Sequence, residues 1–171
     1  MKKNTQWIVQ GALIGALYVV LTVAVAPIGF GVVQFRISEA LTILPLFTPA
    51  AVPGLFVGCI IANLIGMFMG LNLAIDILFG SLATLLAAIL TRGLRRITVK
   101  GFPALSFLPP VVMNALIVGL ELALFLPQDA RVAFWFAALT VGGGELAVVV
   151  VLGIPLYLVV RRLNIFRNET L

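Results

Sequence analysis

Residues 53–70 read PGLFVGCIIANLIGMFMG, and this uncharged run sets the architecture. Gly54, Gly58, Ala62, Gly66 and Gly70 recur every fourth residue. That spacing puts them on one face of a helix. In lipid, helices associate through close packing of small residues, because the hydrocarbon around them is as apolar as their side chains. A stripe this long suits a helix at the centre of a bundle, with a second backbone lying against it. Asn63 sits in the same run, a polar group that needs a partner away from lipid.

Outward from this helix the chain keeps the same character. Of its 171 residues 63% are hydrophobic and 10% charged, with mean hydropathy +1.24. Soluble domains carry about 25% charged residues, so this is an all-α integral membrane protein. A spanning helix needs about 20 apolar residues. We expect a single domain, 1–171, that forms a six-transmembrane-helix bundle with spans at about 7–26, 37–47, 53–70, 72–90, 109–126 and 132–160. Lys2 and Lys3 resemble the start of a signal peptide, but the apolar run is too long for one, so the first span is expected to be retained. Span 2 is short and is ended by Pro45 and Pro49. In span 6 a break is expected at Gly142–Gly144 and a kink at Pro155.

The basic residues orient the bundle. With six spans, Lys2, Lys3, Arg92, Arg95, Arg96, Lys100, Arg161, Arg162 and Arg167 share one side, and only Arg36 and Arg131 fall on the other. The positive-inside rule makes both termini cytoplasmic. A net charge of +5 then reflects span ends facing anionic headgroups of membrane lipid, not a nucleic-acid surface.

Four of the six acidic residues, Glu39, Asp76, Glu121 and Glu145, lie in or at the edges of apolar runs. A carboxylate at the centre of a membrane helix costs roughly 2.5–3.5 kcal/mol, so the default reading is a pocket for a polar or cationic ligand. Glu39, Asp76 and Glu121 are placed in the outward half, Asp76 in the second turn of span 4, and Glu145 deeper. Each has a plainer reading. Glu39 is three residues from Arg36, the spacing of a local ion pair; Asp76 stands near a helix start; Glu121 has span neighbours to bond. Glu145 has the least excuse. Asn63 and Asn114 supply deeper amides. Gln34, Phe35 and Arg36 precede span 2 and fit a lid. Trp135 is either a stacking surface for a flat ring or an interfacial belt residue.

Histidine is absent, so neither a metal site nor histidine-based catalysis is expected. No phosphate-binding Gly-x-x-x-x-Gly-Lys-[Ser/Thr] run and no Gly-x-Ser-x-Gly elbow occurs, which argues against an ATPase or a serine hydrolase. One cysteine, Cys59, permits no intramolecular disulfide. In span 1, Gly11/Gly15 and Ala12/Ala16 form two small-residue pairs that suit either intrachain packing or a partner helix.

The stretch Val33-Gln34-Phe35-Arg36-Ile37-Ser38-Glu39-Ala40-Leu41-Thr42, with Leu44-Pro45 and then Pro53-Gly54-Leu55-x-x-Gly58-Cys59-x-x-Ala62-Asn63, resembles the QueT family. The resemblance implies a substrate-binding S component of an energy-coupling factor (ECF) transporter, without enzymatic activity or cofactor, in a bacterial cell membrane. It implies a queuosine precursor, a 7-deazaguanine-type base, held in the outward half partly under the span 1–2 loop. It also implies that Ala12 and Ala16 meet the transmembrane coupling subunit, that two ATPase subunits supply the energy, and that the S component topples to release its cargo. On that reading Glu39, Glu121 and Glu145 accept hydrogen bonds and Asn63 and Asn114 add amide contacts. Another heterocyclic or cationic vitamin, or a stand-alone proton-coupled carrier, are the alternatives.

Overall fold

The computed structural model describes residues 3–30, 35–163 and 165–166; Gln34 lies outside them. Helix α1 covers Lys3–Ala24 and is followed by a single turn, α2, at Ala26–Gly29. Pro27 stands in the first turn of α2, where its missing N–H costs nothing. A 3₁₀ helix follows at Ile37–Leu46, then α3 at Ala51–Phe68 and α4 at Asp76–Leu94. Next come α5 at Leu108–Met113, a π turn at Asn114–Val118 and α6 at Gly119–Phe125. The last rod is α7 at Phe134–Val148, a π turn at Val149–Gly153 and α8 at Ile154–Leu163. Five of these rods are long and apolar enough to cross a membrane.

The small-residue stripe does what its spacing predicts. A Cβ added at Gly54 would lie 2.5 Å from the Gly11 carbonyl oxygen, and one at Gly58 would lie 2.8 Å from that of Gly15. The backbones of α1 and α3 are therefore in contact. The register, 11 against 54 and 15 against 58, rises together in both helices, so α1 and α3 run parallel. The chain between them must return through the bundle. The residues that make this return are 37–46, with Ser38 to Pro45 all buried.

The return explains the 3₁₀ geometry. Ten residues reach about 20 Å at the 3₁₀ rise of about 2.0 Å, against about 15 Å as an α-helix. The bonds Glu39 N–H to the Arg36 carbonyl at 2.9 Å and Phe47 N–H to the Leu44 carbonyl at 2.9 Å have the tight i, i+3 pattern. Runs this long are uncommon; here protein surrounds the segment on every side, the condition for irregular backbone at membrane depth.

Contacts sort the bundle into two ends. Thr48 donates to Gln10 at 3.1 Å, Arg92 to the Pro45 carbonyl at 2.9 Å, and Thr91 to the Ser106 carbonyl at 3.1 Å. Phe47 packs on Tyr157 and Phe166. This end thus gathers the start of α1 and the finish of α8. At the other end Phe30 abuts Gly66, and Phe79 meets Phe125 edge to face.

Three boundaries differ from the sequence reading. The fourth rod begins at Asp76, not Asn72, so Asp76 is its first residue and not in its second turn. Gly70 closes α3 with φ +70°, and Leu71 N–H bonds back to the Gly66 carbonyl; this glycine stop uses up 70–75 as a turn. The Gly142–Gly144 triplet does not break α7. Gly142 admits a neighbour instead: a Cβ there would meet the Ala115 methyl at 3.1 Å. The irregularity falls at Val149–Gly153, ahead of Pro155, whose ring and missing N–H disturb the preceding turn.

The α1–α3 contact is testable. Alanine normally gains about 1 kcal/mol over glycine inside a helix, yet Gly54→Ala should lower stability by about 1–3 kcal/mol through overpacking. Gly93→Ala, which meets nothing within 4 Å, is the control. Thermal unfolding in detergent compares them; a Gly54→Ala protein as stable as the Gly93→Ala protein would refute the backbone contact.

Candidate functional site

The return helix delivers Glu39 to the interior, where it is fully buried. Its Oε1 accepts from the Tyr18 hydroxyl and lies 3.2 Å from the Thr84 hydroxyl, whose one hydrogen it shares with the Gly80 carbonyl at 3.0 Å. Tyr18 comes from α1, on the face that carries Gly11 and Gly15, and Thr84 comes from α4. Three elements therefore meet at one carboxylate oxygen. The other oxygen, Oε2, is buried without a hydrogen-bond partner among the described residues.

Arg36 stands one residue ahead of the return helix and is only 3% exposed. Its Nε donates to the Gly29 carbonyl at 3.2 Å, and its guanidinium lies 5.0 Å from the Phe30 ring centroid. The single turn α2 thus holds the arginine by one carbonyl, with Phe30 beyond it giving a cation–π face. Glu39, for its part, is held by Tyr18 and Thr84, so the short spacing of Arg36 and Glu39 does not by itself describe their bonding. Arg36 is in electrostatic reach of Glu39, Asp76, Glu121 and Glu145. One guanidinium faces four carboxyl groups.

The acids fall into two associations. Asp76 lies beside Glu121, and Glu145 is near enough to Glu39 to feel its charge. Asp76 Oδ2 also accepts from the Leu73 N–H at 2.9 Å, a local bond at the start of α4. Glu121 and Glu145 each bury Oε1 without a partner among the described residues. Asn63 donates to the Asp76 carbonyl at 3.0 Å and to Cys59 Sγ at 3.4 Å, leaving Oδ1 unpartnered. Its amide ties α3 to the start of α4 and turns an acceptor inward. No group of three His, Cys, Asp or Glu side chains among the described residues could hold a metal ion.

The structure thus brings together Glu39, Asp76, Glu121, Glu145, Arg36 and, through the Asp76 carbonyl, Asn63. Asn114 is buried, but its amide donates back to the Pro110 carbonyl at 2.9 Å. It opens the π turn and spends its donor inside its own helix. Phe35 is 41% exposed, and Trp135 is 74% exposed against Phe134. Trp135 thus faces outward, the placement of the interfacial belt reading. Tyr18 and Thr84 were not foreseen. Their signal was positional, a hydroxyl continuing the Gly11/Gly15 face and a threonine two turns past Asp76.

Ala12 and Ala16 face away from the site. Both are exposed on α1 and line an apolar groove of about 440 Å³ between α1 and α3, with Trp7, Pro53, Val57 and Ile61.

A family model described as QueT transporter matches residues 8–162. The chain belongs to the QueT family. QueT proteins are S components of ECF transporters, which makes this chain a transport protein of the cell membrane and not an enzyme. S components of the QueT family work with ECF modules. No curated protein and no solved structure matches the chain.

The shared Glu39 oxygen gives a quantitative test. Tyr18→Phe removes a buried donor to a carboxylate and should cost about 1–3 kcal/mol of stability. Thr84→Val should cost less. Each hydroxyl partly covers for loss of the other, so the double variant should exceed the sum of the singles. Thermal unfolding of the four proteins measures the cycle, and simple additivity would contradict a shared acceptor.

Proposed function

We propose that this QueT protein is the substrate-specificity subunit of an ATP-driven ECF importer and binds a deazaguanine-type queuosine precursor at the acid cluster. One observation carries the reading: four acceptor oxygens, Glu39 Oε2, Glu121 Oε1, Glu145 Oε1 and Asn63 Oδ1, are buried without donors among the described residues. Buried polar atoms normally have partners, and leaving one bare costs about 1–3 kcal/mol. A ligand rich in N–H groups supplies them. The pyrimidine edge of a deazaguanine presents adjacent ring and exocyclic N–H donors to a carboxylate, and an aminomethyl form adds a cation for a second acid. An anionic vitamin would meet four carboxyl groups around one arginine. Gln34 and Phe35, ahead of Arg36, complete the site as its lid on this reading, and Asn114 contributes from the second layer.

Six crossings with both termini cytoplasmic accompany this proposal. The parallel α1 and α3 support it, because the return helix between them supplies a crossing in addition to the five long rods. The basic residues described at the Phe47 end orient it.

Purified protein should bind a queuosine precursor in calorimetric titration, and Glu39→Gln, Glu121→Gln or Glu145→Gln should weaken binding about tenfold to a hundredfold, the worth of a charged hydrogen bond. Undiminished binding in all three would remove the cluster from the site. Ala12→Leu/Ala16→Leu should leave binding intact while abolishing co-purification with the coupling and ATPase subunits. A chain that instead transports alone in liposomes under a pH gradient would be a proton-coupled carrier.

Topology has its own measurement. In a Cys59→Ser background, a cysteine at Gln128 should react with a membrane-impermeant maleimide on intact cells, and one at Gly101 only after lysis. Labelling of Gly101→Cys from outside would reverse the orientation.

A further inference from the structure

The end of the bundle away from the acids holds a second built site. Arg92, Arg95, Arg96 and Arg161 surround a cavity of about 350 Å³ floored by Phe47 and Tyr157. The floor is rigid: the Phe47, Phe102 and Phe107 rings lie 5.4, 5.4 and 5.7 Å from that of Tyr157. Arg92, Arg95 and Arg161 are held in place by protein acceptors. Arg92 Nη1 donates to the Pro45 carbonyl at 2.9 Å and Arg95 Nη1 to the Arg92 carbonyl at 3.0 Å. Arg161 Nη1 donates to the Gly101 carbonyl at 3.2 Å and to the Tyr157 hydroxyl at 3.4 Å, with its guanidinium 6.0 Å from the Tyr157 ring centroid.

These bonds orient the guanidinium groups without exhausting them. Each guanidinium carries five N–H donors, more than the bonds above use at Arg95 and Arg161. The lining contains no acidic side chain among the described residues, and Arg95, Arg96 and Arg161 bring three positive charges to it beside Arg92. Planar N–H forks fixed around a cavity match the oxygens of a phosphate. Ile97, Val99 and Leu105, on the connection that forms one wall, are exposed apolar side chains. A free anion has no use for them, whereas a lipid brings acyl chain as well as headgroup. Basic pockets between membrane helices are suited to anionic headgroups.

We infer that the arginine cavity beneath the return helix is a binding site for the phosphate of an anionic phospholipid. The site is separate from the acid cluster and does not depend on which cargo that cluster takes.

Native mass spectrometry of the purified full chain, titrated with phosphatidylglycerol or phosphatidylcholine, tests this. Phosphatidylglycerol should be retained preferentially. Arg95→Gln/Arg161→Gln should weaken it about thirtyfold, about fivefold for each charge lost. Arg95→Lys/Arg161→Lys, which keeps the charge and loses the fork, should fall between and serves if the glutamine pair does not fold. Equal retention of the two lipids, or full retention by both double variants, would overturn the site. Displacement of phosphatidylglycerol by millimolar inorganic phosphate would overturn the lipid as its source. Unchanged lipid retention with lost ATPase-subunit co-purification would assign the cavity to an acidic protein segment instead.

Discussion

The backbone contact between α1 and α3 is the constraint from which the rest of the structure follows. Gly11 and Gly15 lie against Gly54 and Gly58 in a parallel register. Two parallel neighbours separated by only about two dozen residues leave little chain for the journey back. Ile37–Leu46 makes it as a 3₁₀ helix buried along nearly its whole length. A surface segment could not, because its unpaired carbonyls would meet lipid. The same contact places Tyr18, next on the glycine face, where the start of the return helix passes. Glycine packing and carboxylate placement are therefore one event.

In hydrocarbon that placement has consequences it would not have in water. The donors nearest the acids are largely held by the chain itself: Tyr18 bonds Glu39, Asn63 the Asp76 carbonyl, and Arg36 Nε the Gly29 carbonyl. Glu39 Oε2, Glu121 Oε1, Glu145 Oε1 and Asn63 Oδ1 remain buried without a donor among the described residues. A scaffold interior would balance the two kinds, since an unmatched acceptor in a low-dielectric site is costly. On the proposed function, a ligand supplies the missing donors. Desolvation also disfavours a charged, unpaired pocket strongly enough that Arg36 is needed in the empty protein, even though it repels a cationic guest. Its hold through Gly29 and Phe30 sets it back toward α2.

Much of this was legible in the chain. The stripe from Gly54 to Gly70 announced by its spacing that a second backbone would lie against it, without saying which, and acids in apolar runs declared themselves by cost. What was hidden depends on direction around a helix. Trp135 and Glu145 lie ten residues apart on one rod, yet one faces out and the other in, because α7 is apolar all round and offers no periodicity to separate the faces. The Gly142–Gly144 triplet was taken for a break, since glycine weakens an isolated helix; in a bundle its lack of side chain was spent on closeness to Ala115. Asn114 looked like a pocket amide, but a polar side chain in a helix can bond its own preceding turn. The 3₁₀ geometry had no sequence mark, because it answers a length set by other elements.

The return helix also joins the two ends. Glu39 lies in its first turn, while the Pro45 carbonyl near its finish accepts Arg92, and the Phe47 ring just beyond floors the arginine cavity. Proline matters here twice. It donates no N–H to the helix, and its carbonyl, passed over by the Thr48 N–H that bonds Leu44, accepts Arg92. Burial on all sides leaves this segment little room to slide independently. Any shift that accommodates a ligand at Glu39 must therefore be taken up along the same short rod or by the glycine contacts that flank it. The acid cluster and the basic end are tied to a single element of about 20 Å, whereas the five long rods each meet it from one side.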